Sequence, residues 1–232
     1  MTSPRQGRAG FPVGLTLIAA LLFAGLCALG VWQVERLAWK RDLIARVEAR
    51  IHAAPIAAPR SATQADEYRR ITATGSFLHD RATLVQASTV RGLGFWVLTP
   101  LRRADGTILL INRGFVPPDA RTRYARPTGI VRVTGLLRLT EPGGGFLRSN
   151  DPAANRWYSR DVAAIATARA LPATPTYFID ADADPRADAL PVGGLTVIRF
   201  PNNHLVYALT WFSLAAMTAG AYIILMRQSR RP

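Results

Sequence analysis

The chain has 232 residues, with 29 basic and 15 acidic side chains, a formal net charge of +14, three histidines and one cysteine. A single cysteine excludes an intrachain disulfide and any Cys-x-x-Cys centre for redox exchange, copper transfer or covalent haem attachment, and three histidines leave little for acid–base or metal chemistry. The charge is carried by scattered arginines, with Lys40 the lone lysine, and not by a basic and aromatic module of the kind that reads nucleic acid; an anionic lipid surface or an acidic partner accounts for it at least as well.

Residues 1–10 form a tail carrying Arg5 and Arg8 and no acid. Residues 11–31, Phe11 to Val31, contain no ionisable side chain other than the Cys27 thiol. As a helix this run extends about 31 Å, the thickness of a bilayer's hydrocarbon core. It is longer than a signal-peptide core, and Leu26 spoils the lipoprotein-like Ala24-Gly25-Leu26 that precedes Cys27, so the segment is read as an uncleaved anchor. Residues 32–52 continue the helix: Val34, Leu37, Ile44, Glu48 and Ile51 recur at helical spacings, and Trp32 and Trp39 suit the membrane interface. Residues 53–67, with Pro55 and Pro59, read as a linker.

From residue 68 to 203 the pattern is β. Strands are predicted at Arg70 to Phe77, Ala82 to Ser88, Gly94 to Leu101, Thr107 to Phe115, Ile130 to Leu139 and Thr176 to Asp180, with Asp105-Gly106 turning a hairpin and Gly143 to Gly145 forming a loop. A short helix is predicted over Asp161 to Ala170, begun by Ser159. Pro201-Asn202-Asn203 breaks the chain before a second apolar run over residues 204–226, in which Leu205 to Met226 lacks any Asp, Glu, Lys, Arg or His. The tail, residues 227–232, adds Arg227, Arg230 and Arg231. The expected fold is therefore an α+β membrane protein: two transmembrane helices flanking a small, mainly antiparallel, β-barrel-like domain with a short helix. Five tail arginines without an acid place both termini in the cytoplasm and the domain in the periplasm. Ten residues ahead of the first span are too few for a mitochondrial presequence, which favours a bacterial inner membrane.

His204 is the histidine with chemical promise. It opens the second span, with Tyr207 and Trp211 one and two helical turns on. If the spans pair antiparallel, Trp32, Gln33 and Arg36 reach the same depth. One imidazole, aromatic faces and a cation suit a flat amphipathic ligand such as haem, with propionates toward Arg36; the alternative is plain interfacial anchoring by His, Trp and Tyr. His52 and His79 read as surface residues beside turns. Asp180-x-Asp182-x-Asp184 opens like a calcium loop, but Pro185 and Pro191 stand where Gly and Glu are required, so an exposed acidic loop is expected. Gly92-Leu93-Gly94 is followed by no helix pattern and is not a phosphate cradle. In Asn112-Arg113-Gly114 the glycine suggests a bulge or close backbone approach, and Arg113 a carboxylate partner, either a structural salt bridge or a ligand.

The blocks Leu29-Gly30-Val31-Trp32-Gln33 through Arg36-Leu37 to Trp39-Lys40, Tyr68-Arg69-Arg70 with Gly75 and Phe77, Gly94 to Pro100, Ile111 to Pro117, and Asn202-Asn203-His204-Leu205 with Tyr207-Ala208 and Thr210-Trp211-Phe212 together resemble the Surfeit locus protein 1 (Shy1) family over nearly the whole chain. Phe115 stands where many relatives have tryptophan. The resemblance implies a non-enzymatic assembly factor for haem-copper terminal oxidases, especially cytochrome c oxidase, that binds haem a and helps deliver it to the catalytic subunit. It implies His204 as the axial ligand of the haem iron, and the oxidase catalytic subunit as partner, with haem a synthase a further candidate. A cofactor-free scaffold for an oxidase intermediate is the competing expectation. No Ser/His/acid set or cofactor fingerprint points to an enzyme.

Overall fold

The computed structural model describes residues 13–145, 147–172, 174–186, 189–198 and 200–229. The tail arginines Arg5, Arg8, Arg230 and Arg231, and Phe11 at the start of the first apolar run, lie outside the described residues. The chain divides into two compact units, a helix pair drawn from residues before Arg46 and after Ile198, and a sheet-rich unit over Arg46–Ile198.

Helix α1 runs unbroken over Val13–His52 and α3 over His204–Ser229. Both are long and apolar enough to cross a membrane. At 1.5 Å per residue α1 is about 60 Å long, roughly twice the hydrocarbon core, so only part of it is needed for a span. The two helices pair antiparallel: Thr16 Oγ1 lies 2.9 Å from Tyr222 Oη at one end and Gln33 Oε1 2.7 Å from His204 Nδ1 at the other. Small residues let the backbones approach. Ala208 and Ala215, one heptad apart on α3, are buried. A Cβ added to Gly30 would lie 2.6 Å from the Phe212 ring, so the glycine opens the space that this ring fills.

The sheet-rich unit contains β1 (Ile56–Ala57), β2 (Arg70–Phe77), β3 (Thr83–Thr89), β4 (Gly92–Arg102), β5 (Ile108–Val116), β6 (Ile130–Leu139), a ribbon of β7 (Gly144–Gly145) and β8 (Arg148–Ser149), α2 (Val162–Ala168) and β9 (Tyr177–Ala181). The main sheet has the order β1-β2-β6-β9-β5-β4-β3, and β2 also pairs with β4 at Ser76–Arg102 and Phe77–Leu101. It is mixed: β5 with β9 and β1 with β2 run parallel, the other pairs antiparallel. A parallel pair needs a long crossover between its strands. Here β9 reaches β5 after β6, the ribbon and α2.

Both faces of the central strands are covered, which explains why β5 reads Ile-Leu-Leu-Ile and does not alternate apolar with polar residues. Side chains of a strand point to opposite faces in turn. Leu109 and Ile111 accordingly join Ile71, Leu137, Tyr177 and Ile179 in one apolar cluster, while Ile108 and Leu110 join Leu98, Trp157, Ile165 and Phe178 in the other. Helix α2 closes the second cluster with Val162 and Ile165. Its cap is Asp161, whose carboxylate accepts from Ala164 N–H at 3.1 Å. Ser159, the expected start, instead accepts a hydrogen bond from Asn150 Nδ2 at 3.0 Å.

The Asn112-Arg113-Gly114 segment forms a bulge. Trp96 pairs with Phe115 and Leu98 with Asn112, so two residues of β5 oppose one of β4. Gly114 has φ +125°, and a Cβ there would strike the Val192 carbonyl. This close approach lets Phe115 and Val192 exchange N–H···O bonds of 2.9 and 2.8 Å.

Candidate functional site

The antiparallel pairing sets the end of the first apolar run beside the start of α3. Asn203 stands just before α3, its carbonyl accepting from Tyr207 N–H at 3.2 Å, so the helix begins with the His204 side chain half-buried. Gln33 is buried to 8 % exposure. Its side-chain carbonyl oxygen faces His204 Nδ1 at 2.7 Å. A carbonyl only accepts, so Nδ1 is the donor, and in the neutral imidazole that arrangement places the lone pair on Nε2. That is the tautomer an iron-ligating imidazole requires, with its other nitrogen oriented by a hydrogen bond. The donor set therefore fits haem ligation through Nε2.

The other predicted residues are placed differently. Trp32 and Tyr207 are about half exposed, at 50 % and 53 %. Arg36 lies with its guanidinium 4.5 Å from the Trp39 ring. Trp211 is partly buried, and among the described residues its indole Nε1 is buried without an acceptor, as is Asn202 Oδ1 without a donor. Buried polar atoms without a partner are uncommon, and water, an ion, a ligand or local strain accounts for them. In the sequence Asn202 stands in the break before the second span and in the block Asn202-Asn203-His204-Leu205, and its orphaned oxygen depends on how the chain enters α3. Lys40, 5.4 Å from the Phe200 ring, adds a second cation–aromatic contact in the same unit. Its signal in the sequence was no more than membership of the Trp39-Lys40 block.

A second cluster lies in the sheet-rich unit and was not anticipated. Asp180, 5 % exposed, accepts from Asn112 Nδ2 at 2.7 Å, Thr196 Oγ1 at 2.9 Å, Arg160 Nη1 at 3.1 Å and Arg138 Nη1 at 3.2 Å. Arg160 also binds Glu141 at 2.9 Å through Nε, and Arg138 reaches Glu67 at 3.4 Å. Burial opposes the charge on Arg160, but Asp180 and Glu141 outweigh it and hold the guanidinium above its ordinary pKa. A cavity of about 240 Å³ adjoins the network. Its carboxylates are each committed to arginines, so the network is structural, and it is assembled only when β5, β6 and β9 come together with the segments carrying Arg160 and Thr196.

This corrects the reading of Asp180 as part of an exposed acidic loop: it is buried in β9. Asp182 instead pairs with Arg70 and Asp184 with Arg186. Among the described residues Arg113 forms no salt bridge either. Its Nη2 donates to the Ala125 carbonyl at 2.7 Å, and burial pushes its pKa down. Among the described residues no three His, Cys, Asp or Glu side chains converge as a metal site needs. His52 lies 3.4 Å from Glu48, and His79 Nε2 is 2.8 Å from the Pro127 carbonyl.

The model of the family described as "SURF1 family" matches residues 20–216, from within α1 to within α3, and so spans the sheet-rich unit with both Gln33 and His204. The chain belongs to the SURF1 family. It is 38 % identical over 220 residues to the SURF1-like protein of Monosiga brevicollis, covering 86 % of this chain and 83 % of the relative. Against Surfeit locus protein 1 of Mus musculus it is 35 % identical over 228 residues, covering 88 % and 72 %. Against that of Homo sapiens it is 35 % identical over 215 residues, covering 82 % and 70 %. Similarity over most of both chains means that membership rests on the helices and the sheet-rich unit together.

Proposed function

We propose that the protein is a membrane-bound assembly factor for a haem-copper terminal oxidase, holding haem a at the His204 end of the helix pair and assisting its insertion into the catalytic subunit. Membership of the SURF1 family supports the assembly role. The observation that carries the cofactor reading is the 2.7 Å contact between Gln33 Oε1 and His204 Nδ1, which in the neutral imidazole presents Nε2 as the ligand atom. Bound haem a would supply the iron that Nε2 ligates and the redox-active macrocycle the oxidase needs. Gln33 fixes the tautomer and ring plane of His204, Trp32, Tyr207 and Trp211 offer aromatic faces, and Arg36 offers a cation for a propionate.

In this reading the protein lies in a bacterial inner membrane, with both termini cytoplasmic and a barrel-like sheet domain in the periplasm. Arg227 in the last turn of α3 suits a cytoplasmic end. The protein acts as a chaperone and not an enzyme. The test is purification of the full chain after co-expression with haem a synthesis. Wild type is expected to carry a haem a absorption spectrum and His204→Ala to lose or shift it. An unchanged spectrum in His204→Ala refutes the ligand, and colourless wild type favours a cofactor-free scaffold.

A further inference from the structure

Arg113 stands in the β5 bulge, where the extra residue re-aims the side chain out of the ladder. Its guanidinium lies 5.0 Å from the Phe77 ring and 5.9 Å from the Tyr124 ring. Nη2 is used by the Ala125 carbonyl, whereas Nη1 is buried with no acceptor among the described residues. Arg126 lies 5.3 Å from the same Tyr124 ring. Two cations thus flank one aromatic ring, and among the described residues neither forms an ion pair.

Beside them is a groove of about 730 Å³, lined by Arg113, Arg126 and Arg132 and by the apolar Phe77, Ile111, Val131 and Val133. Its two described acids are already taken, Asp182 by Arg70 and Asp184 by Arg186. One wall is pinned, because Ala125 N–H donates to the Leu190 carbonyl at 3.0 Å and His79 Nε2 holds the Pro127 carbonyl at 2.8 Å. A partly buried guanidinium with a spare donor and a second cation nearby, with neither paired to a carboxylate among the described residues, is an arrangement that an anion completes. The apolar wall asks that the anion carry a hydrophobic body.

We infer that this groove binds a small amphipathic carboxylate, its head on Arg113 and Arg126 and its apolar part against Phe77, Ile111 and Val131. The inference goes beyond the cofactor reading and does not depend on His204.

The test uses the full chain in nanodiscs of zwitterionic lipid, with empty nanodiscs as reference, and 4-phenylbutyrate as probe in isothermal titration. Wild type is expected to bind 4-phenylbutyrate and not 4-phenylbutanamide. Arg113→Gln is expected to weaken binding about tenfold or more, and exposed Arg126→Gln severalfold. Thermal melts check folding, and if Arg113→Gln does not fold, Arg126→Gln decides. Absence of binding to wild type, equal binding of the amide, or wild-type affinity in Arg126→Gln overturns the site. If N-acetylaspartate methylamide binds as tightly as 4-phenylbutyrate, the ligand is an acidic protein side chain and the amphipathic inference fails.

Discussion

Replacing Gln33 by leucine tests the candidate site without touching the ligand. The side chain keeps its approximate volume in a position 8 % exposed, but the oxygen 2.7 Å from His204 Nδ1 is gone. The imidazole then loses the bond that selects its tautomer and orients its plane. Losing such an outer partner typically lowers metal affinity by about 10- to 100-fold, or about 1.4 to 2.7 kcal/mol. Gln33→Asn should behave like leucine, since one methylene withdraws the oxygen by about 1.5 Å and breaks the bond. Gln33→Glu keeps an acceptor and makes it charged, so affinity should hold or rise and the haem potential should fall. The assay is haem titration of the purified full chain, followed by its absorption spectrum. Wild-type affinity in Gln33→Leu, alongside loss of binding in His204→Ala, would refute the orienting role; wild-type affinity in both would refute the site.

Three further outcomes concern the sheet-rich unit. Burial pushes the Tyr177 hydroxyl up to about 12, while it donates to the Pro59 carbonyl at 2.6 Å. The unfolded side chain ionises near pH 10, so the folded state holds the proton longer and stability falls as pH rises from about 10 to 12, by about 2 kcal/mol. Chemical denaturation across that range should show the decline in wild type and a flatter profile in Tyr177→Phe; parallel profiles would contradict it. Asp180→Asn leaves Arg138 and Arg160, 15 % and 13 % exposed, with less compensating charge, and should cost about 3 kcal/mol in urea unfolding, whereas a loss under about 0.5 kcal/mol would mean that Glu67 and Glu141 suffice. Gly114→Ala adds a Cβ at φ +125° against the Val192 carbonyl. It should cost more than about 2 kcal/mol and speed amide exchange at Phe115 and Val192, and slow exchange at both would show that the strand absorbs the change.

The sequence pattern alone proposes the residues of the candidate site. His204, Tyr207 and Trp211 announce themselves by helical spacing at the end of an apolar run, and Gln33 by its depth on the opposite run. The direct bond between His204 and Gln33 was not legible, because it depends on the register of one helix against the other. Arg113 shows the same limit. The sequence located the bulge at Gly114, but the missing carboxylate depends on Tyr124, Ala125 and Pro127 arriving from a separate loop.

Local chemistry therefore determined the elements. Apolar length specifies the two helices, and runs of Val, Ile, Leu and Thr between turn residues specify most of the strands, because both signals act over neighbouring residues. Partnership was decided by tertiary structure. The parallel pairing of β5 with β9, the Asp180 network drawn from β5, β6 and β9, and the Gly30–Phe212 seam that brings Gln33 to His204 each join residues dozens of positions apart or more. Their geometry follows from burying apolar faces while satisfying every buried polar group, a condition on the whole packed chain and not on any one segment.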